Sequence, residues 1–291
     1  MSQYDSFDVP VPGGSLRVGR WTASDPAAPV VVAAHGVTAN HRCWALLAAR
    51  DEVTVVAPDL RGRGRSAALE GTTGMDAHAA DLLALADHLG LDRVRLAGHS
   101  MGGFVVAAFA ALHPERTASV LLVDGGLPLP APPAGMTPQE VLAAVIGPAA
   151  QRLTMTFAST EAYFDYWRDH PALGPAWSDA VEDYLAYDLT GAPPERRSSV
   201  SLDAVTEDSA DLMDVDTVAT RAKGLPSGTV FLRAPAGLMA EPGGLYPPTL
   251  MAEHATAFPH LDLRDVVGVD HYSILFDETG AAAVSTVLAA G

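Results

Sequence analysis

The chain has 291 residues, 48% of them hydrophobic and 18% charged, a balance that suits one large α/β domain or two small ones and excludes wholesale disorder. Its formal net charge of −17 would repel a phosphate backbone and an anionic membrane surface, so neither nucleic acid nor membrane is an expected partner. Cys43 is the single cysteine, which rules out an intrachain disulfide and a cysteine-based metal cage.

The opening MSQYDSFDVP carries two aspartates and no apolar core, unlike a secretory signal. FVVAAFAAL at 104–112 is the longest strongly apolar stretch and falls far short of the roughly 20 residues that span a bilayer. The expected location is cytoplasmic. From residue 29 onward short branched runs alternate with amphipathic stretches. PVVVAAHG (29–36) reads as a buried strand, HRCWALLAAR (41–50) as a helix with Trp44, Leu47 and Ala48 on one face, and EVTVVAPDL (52–60) as the next strand. A helix over 75–91 turns Leu82, Leu85, Ala86 and Leu89 inward. Strands at 92–98 and 117–126 flank a helix that stops near Pro114. Such repeats with near-continuous apolar strands predict a mostly parallel sheet covered on both faces.

The rhythm breaks over 128–226, a proline-punctuated stretch with helical segments at 137–147 and 160–170. Its part from 157 to 187 is rich in aromatics: Phe157, Tyr163, Phe164, Tyr166, Trp167, Trp177, Tyr184 and Tyr187. The alternation resumes with a strand at 228–234, a helix at 247–258, a strand at 260–268 and a helix from about Ile274 to Ala290. The expected organisation is therefore a core of residues 1–127 and 227–291, interrupted by a helical cap over 128–226. An insertion after the strand at 118–123 would sit over the end of that strand. At least two of its aromatics are expected to wall an apolar pocket there. The acidic run TEDSADLMDVD (206–216) reads most simply as a solvated face.

Gly98-His99-Ser100-Met101-Gly102 fits G-x-S-x-G and stands between a strand and a helix, where the mechanics of a nucleophile require it. Glycines on both sides let the backbone turn so sharply that the serine hydroxyl projects from the carboxyl end of the strand. The free N–H groups of the following helix then face any oxyanion formed beside it. A serine that only capped the helix would not need glycine on both sides.

With its HGVTANHRCW, APDLRGRGRS, AGHSMGG and VDHYSILF segments, the chain resembles the α/β-hydrolase superfamily over nearly its whole length. The resemblance implies an α/β-hydrolase fold, a Ser…acid…His order and an oxyanion hole made by the backbone amides of Val37 and Met101. It implies His271 as the general base, in the short loop before the last helix. His35 and His99 lie inside the motifs and are expected to be structural. His41 opens the helix after the oxyanion loop and could line a pocket. His78, His88, His113, His170, His254 and His260 fall on helix faces or ends.

The acid is less direct. The family most often carries it just after the strand at 228–234, but the usual spacing from Gly237 lands on Ala240. Asp124, ending the strand LLVDGG, and Glu241, one residue past the usual place, are the two candidates, with Asp124 favoured. Asp124 could also be a turn residue bonded to the amides of Gly125 and Gly126. Asp270 reads as a loop carboxylate, and Asp59 and Arg61 as braces of the 58–66 turn. GRGRSA (62–67) matches a dinucleotide fingerprint, but Gly71 and Gly74 interrupt the long helix such a site needs. No cofactor and no metal site is expected, and Cys43 reads as a small core residue.

These features predict a serine-dependent hydrolase acting on an apolar ester-type small molecule through an acyl-serine. A thioesterase, a lactonase or a hydrolase of carbon–carbon bonds could use the same groups. A non-catalytic small-molecule binding protein is the rival from another class, motivated by Ala240. The sequence leaves homo-oligomerisation open.

Overall fold

A computed structural model describes residues 2–130, 135–136, 140, 147 and 149–290. Its centre is an eight-stranded sheet among the described residues, in the order β1-β2-β4-β3-β5-β6-β9-β10. The strands are β1 (Gln3–Val11), β2 (Gly14–Thr22), β3 (Val30–Ala34), β4 (Thr54–Pro58), β5 (Val94–His99), β6 (Thr117–Val123), β9 (Val230–Arg233) and β10 (Asp262–Asp265). From β4 across to β10 every neighbouring pair is parallel, and β1–β2 forms an antiparallel hairpin on the β4 edge. The mostly parallel sheet agrees with the sequence reading. The hairpin was not anticipated, although PGG at 12–14 between alternating runs carries a hairpin signal.

The parallel strands inside the sheet are largely buried on both faces because alternate side chains enter different cores, while the edge strand β10 is mostly exposed. Val32 and Ala34 of β3 join one cluster with Leu82 and Leu85 of α2 (Met75–His88) and Val105 and Phe109 of α3 (Met101–Leu112). Val31 and Ala33 join the other, with Leu47 of α1 (Ala45–Ala49) and Val284 of α10 (Glu278–Ala290). Leu250 and Met251 of α8 (Pro248–Ala257) pack against the first cluster, and Ile274 and Leu275 of the short α9 (Ser273–Phe276) enter the second. Residues 101–110 of α3 are all buried, as expected of a helix apolar on every side.

Between β6 and β9 the described residues form α4 (Thr160–Arg168), α5 (Asp179–Asp188), α6 (Leu202–Leu212) and α7 (Val215–Lys223), with a two-residue ladder of β7 (Leu189–Thr190) and β8 (Arg197–Ser198). The helix expected over 137–147 falls mostly outside the described residues. Each of the four helices is stopped at its start by a side-chain cap: Ser159, Ser178, Ser201 and Asp214 accept from the amides of Ala162, Val181, Ala204 and Thr217. Such a cap contributes about 0.5–2 kcal/mol. Acidic residues in each first turn (Glu161, Asp179, Asp203 and Asp216) add a favourable interaction with the helix dipole. Part of the segment's acidity is thus local helix chemistry. No helix among the described residues is long and apolar enough to cross a membrane.

The helix α3 packs backbone-to-backbone on the sheet. A Cβ added at Gly102 would lie 2.0 Å from the Ala34 carbonyl oxygen, and one at Gly98 2.1 Å from the Gly102 carbonyl oxygen. Backbone cannot step aside as a flexible side chain can. Gly102→Ala should therefore lower unfolding free energy in a denaturant titration by about 3 kcal/mol or more. Gly224→Ala, at the end of α7 with φ −85°, should raise it by about 0.5 kcal/mol through the unfolded state.

Candidate active site

Ser100 occupies the one-residue turn between β5 and α3 at φ +54°, ψ −124°, a conformation costly for a residue with a side chain. Its N–H donates to the Val123 carbonyl at 3.0 Å, and its carbonyl accepts from the Gly103 N–H at 2.9 Å. Met101 begins α3, so its N–H is among those without an intrahelical acceptor. Gly36 approaches the serine so closely that a Cβ there would stand 3.2 Å from Ser100 Cβ.

Asp124 follows β6 at φ +46°. Its Oδ1 accepts from the Ala234 N–H at 3.0 Å, tying the end of β6 to the end of β9. Its Oδ2 lies 2.7 Å from His271 Nδ1. An ionised carboxylate only accepts, so Nδ1 carries the proton and Nε2 is the basic nitrogen of the neutral ring. Glu241 turns elsewhere: it is exposed, and its carboxylate accepts from the Met239 N–H at 2.8 Å. The imidazole is thus partnered by Asp124, whose carboxylate reaches Ala234 and His271 where a turn role would have used Gly125 and Gly126. Ala240, where the family's acid would fall, sits at φ +58°.

Val37, Ser100, Met101, Asp124 and His271 all line one cavity of about 610 Å³ at the carboxyl edge of the sheet, with Glu241 also on its wall. Other walls are apolar, including Phe104, Leu129, Leu212, Leu238 and Leu245. Among the described lining residues there is no arginine or lysine. An open parallel sheet presents its crevice in this position.

A family model described as the alpha/beta hydrolase fold matches residues 29–171. The 3-hydroxybutyrate-oligomer hydrolase of Cupriavidus necator is 32% identical over 208 residues, covering 65% of this chain and 69% of that protein. The chain belongs to the α/β-hydrolase family. Lipase LipV of Mycobacterium tuberculosis is 39% identical over 115 residues, 39% of this chain, and this chain spans only 43% of that lipase's length. A crystal structure of E-2-(acetamidomethylene)succinate hydrolase superposes with a TM-score of 0.77 at 21% identity, covering 98% of each chain.

In this α/β-hydrolase the histidines inside the motifs hold backbone. His99 Nε2 donates to the His271 carbonyl at 2.9 Å, and burial pushes its pKa well below the ordinary value. His35 Nδ1 donates to the Gly36 carbonyl at 2.8 Å while its Nε2 accepts from the Leu60 N–H at 3.0 Å. Burial, against the opposing pull of Asp59, brings His35 down to about 3. His41 does not reach the cavity: it is fully buried, with Nδ1 2.7 Å from Asp59 Oδ1 and Nε2 3.0 Å from the Tyr4 hydroxyl. Asp59 also accepts from the Arg65 N–H and the Tyr187 hydroxyl, and Arg61 grips Asp81, so the 58–66 turn is braced as expected. Asp270 accepts from the amides of Tyr272 and Ser273, a loop role, and Cys43 is buried.

Two expectations need correction. Of the eight aromatics between 157 and 187 only Tyr184 is among the described lining residues. Phe157, Tyr163, Phe164 and Trp167 pack instead into the core on that face of the sheet, because the insertion must bury its own apolar side chains. Nor is 206–216 simply solvated. Asp208 is fully buried, 2.5 Å from an Arg63 terminal nitrogen and 3.0 Å from His78 Nε2. Burial would raise its carboxyl, but the His78 hydrogen bond and the Arg63 charge outweigh this and hold it at about 2. Asp211 accepts from the Met75 N–H, so α6 docks on the start of α2 through carboxylates. A second buried pair, Arg152 with Asp188, lies 3.4 Å apart and shares the Tyr163 hydroxyl. Arg63 and Arg152 carried no signal in the sequence, since their partners are 145 and 36 positions away.

The two depressed histidines of the motifs contribute to a pH dependence, alongside His170 and His254, which burial also lowers. Unfolded, each titrates near 6.5; folded, His35 titrates near 3 and His99 also well below. Below pH 6.5 the unfolded chain therefore binds more protons, and stability present above that pH is lost as pH falls towards 3. Denaturant titrations should show a decline between pH 6 and 4, of about 1.4 kcal/mol per pH unit from His35, with His99 adding in the same direction. His99→Gln should flatten the slope.

Proposed function

We propose that this chain is a serine-dependent hydrolase of neutral, apolar esters, working through an acyl-serine. The observation that carries the reading is the Asp124–His271 pair at 2.7 Å, lining the same cavity as a serine held in a strained strand-to-helix turn. His271 Nε2 takes the proton of Ser100 Oγ as the hydroxyl attacks the ester carbonyl. Asp124, bonded to Nδ1, holds the tautomer and stabilises the imidazolium that forms. The amides of Val37 and Met101 donate to the tetrahedral oxyanion. Collapse breaks the ester bond, with His271 returning the proton to the departing alcohol. Water, deprotonated by the same ring, then attacks the acyl-serine and releases the acid. Because Asp124 supplies the imidazole's partner, Ala240 no longer motivates a binding-only protein.

The substrate class follows from the walls. An apolar cavity of this size favours a hydrocarbon-rich acyl or alkyl group. With Glu241 on the wall and no lining cation among the described residues, an anionic substrate gains no counter-charge.

The test combines labelling with kinetics. A fluorophosphonate should label native but not denatured protein, and Ser100→Ala should abolish both labelling and hydrolysis of p-nitrophenyl butyrate. Asp124→Asn should lower kcat by about 10⁴, the size expected when the base is held in the wrong tautomer. Glu241→Gln should leave kcat within about threefold, since its carboxylate faces a loop amide. Equal losses in the two variants would overturn the assignment of the acid. A native protein that neither labels nor cleaves short aryl esters would overturn the function.

A further inference from the structure

Buried cations hold the turn that carries the Val37 N–H from two sides. Residues 36–39 close on themselves as the Ala39 N–H donates to the Gly36 carbonyl at 3.1 Å. The next carbonyl, of Val37, accepts from Arg63 Nε at 2.9 Å. The one after, of Thr38, accepts from an Arg152 terminal nitrogen at 2.6 Å. With His35 also donating to Gly36, three successive carbonyls are engaged. No hydrogen bond among the described residues takes the Val37 N–H.

Neither arginine is a surface residue using spare donors. Their side chains are 0% and 2% exposed, and each is compensated by a carboxylate of the insertion, Asp208 on α6 and Asp188 at the end of α5. An ion pair alone would need only that carboxylate. A guanidinium carries five N–H donors in a fixed fork, and here each arginine also uses two of its nitrogens on backbone carbonyls. Arg63 also donates to the Arg61 carbonyl at 2.8 Å and touches the sulfur of Met101, the residue that follows Ser100, at 3.9 Å. Arg152 donates to the Ala149 carbonyl at 2.6 Å and to the Tyr163 hydroxyl at 2.9 Å.

We propose that Arg63 and Arg152 are positioning residues for acyl transfer, pinning the carbonyls of Val37 and Thr38 so that the Val37 N–H stays aimed at the developing oxyanion. The proposal rests on the reading of Ser100 and the Val37 amide given above. The central peptide of a tight turn can rotate as a unit, exchanging the directions of its N–H and C=O. Such a rotation at 37–38 would swing the Val37 carbonyl away from Arg63 and change the Val37 dihedrals, and with them the aim of the adjoining 36–37 peptide, which carries the Val37 N–H. A hydrogen bond from a desolvated guanidinium opposes it. Since both carboxylate partners belong to the insertion, the seating of the insertion sets the geometry of the oxyanion hole.

The test separates a positioning role from a merely structural one. Arg63→Lys keeps a cation for Asp208 but loses the fork. Arg63→Met/Asp208→Asn removes the pair together, avoiding an orphaned buried charge. Arg152→Lys makes the same comparison on the other side of the turn. In folded variants, kcat for p-nitrophenyl butyrate should fall on the order of 10²-fold, the scale of losing one oxyanion donor, with KM changed by less than about threefold. The affinity for an alkyl trifluoromethyl ketone, which forms an oxyanion on Ser100, should fall in proportion to kcat/KM. A structural role would lower melting temperature without that proportionality. Folded variants with wild-type kcat and ketone affinity would overturn the proposal while leaving the serine mechanism intact. A wild-type protein that fails the fluorophosphonate test would overturn both.

Discussion

Between β5 and α3 the chain reverses within a single residue, and the site depends on how closely backbone meets backbone there. Ser100 holds φ +54° although it has a side chain, a conformation that costs about 1–3 kcal/mol. Hydrogen bonds to Val123 and Gly103 on either side, and the burial of α3 against β3, over-determine it. Unsubstituted carbons at 98 and 102 permit the approach, since a methyl at either would lie within 2.1 Å of a carbonyl oxygen. With that turn in place the serine and the first amide of α3 share one edge of the sheet, and β6 and β9 bring Asp124 to the same edge.

The insertion is joined to this core by polar contacts as much as by apolar ones. Asp208 is buried beside Arg63 of the core, Asp211 receives the first amide of α2, and Arg152, paired with Asp188 inside the insertion, reaches the Thr38 carbonyl of the core. A buried ion pair contributes little net stability, because desolvation offsets most of its attraction, but breaking one partner leaves a costly orphan. The Arg63–Asp208 pair therefore specifies one seating of the insertion more than it strengthens it. The aromatic cluster supplies the apolar part of the docking, with Phe157, Tyr163 and Trp167 in the core shared with β3 and β6.

Local patterns made most of the framework legible. Strand spacing followed from branched apolar runs, and the strand-to-helix turn at Ser100 from glycines flanking one serine. The boundaries moved by a few residues, as for 29–36 against Val30–Ala34. The hairpin at residues 3–22 was missed although its alternation and Gly13-Gly14 turn were readable. Aromatics on a predicted cap say that something apolar will be covered, but not whether by substrate or by the protein itself; here they were mostly covered by the protein.

Residue order alone determined what depends on neighbours in the chain: the period of the strands, the capped helices, the Gly-x-Ser-x-Gly turn and the loop holding His271. Only the tertiary structure decided what depends on contacts across it. Asp124 and Glu241 are equivalent on paper, yet Asp124 meets an imidazole 147 positions away because β6 and the 269–272 loop end at one edge, while Glu241 folds back on its own loop. The same holds for Arg63 and Arg152, whose carboxylates and carbonyl partners come from separate segments. A hydrogen bond forms over about 3 Å in space whatever the distance along the chain, so no local pattern records it.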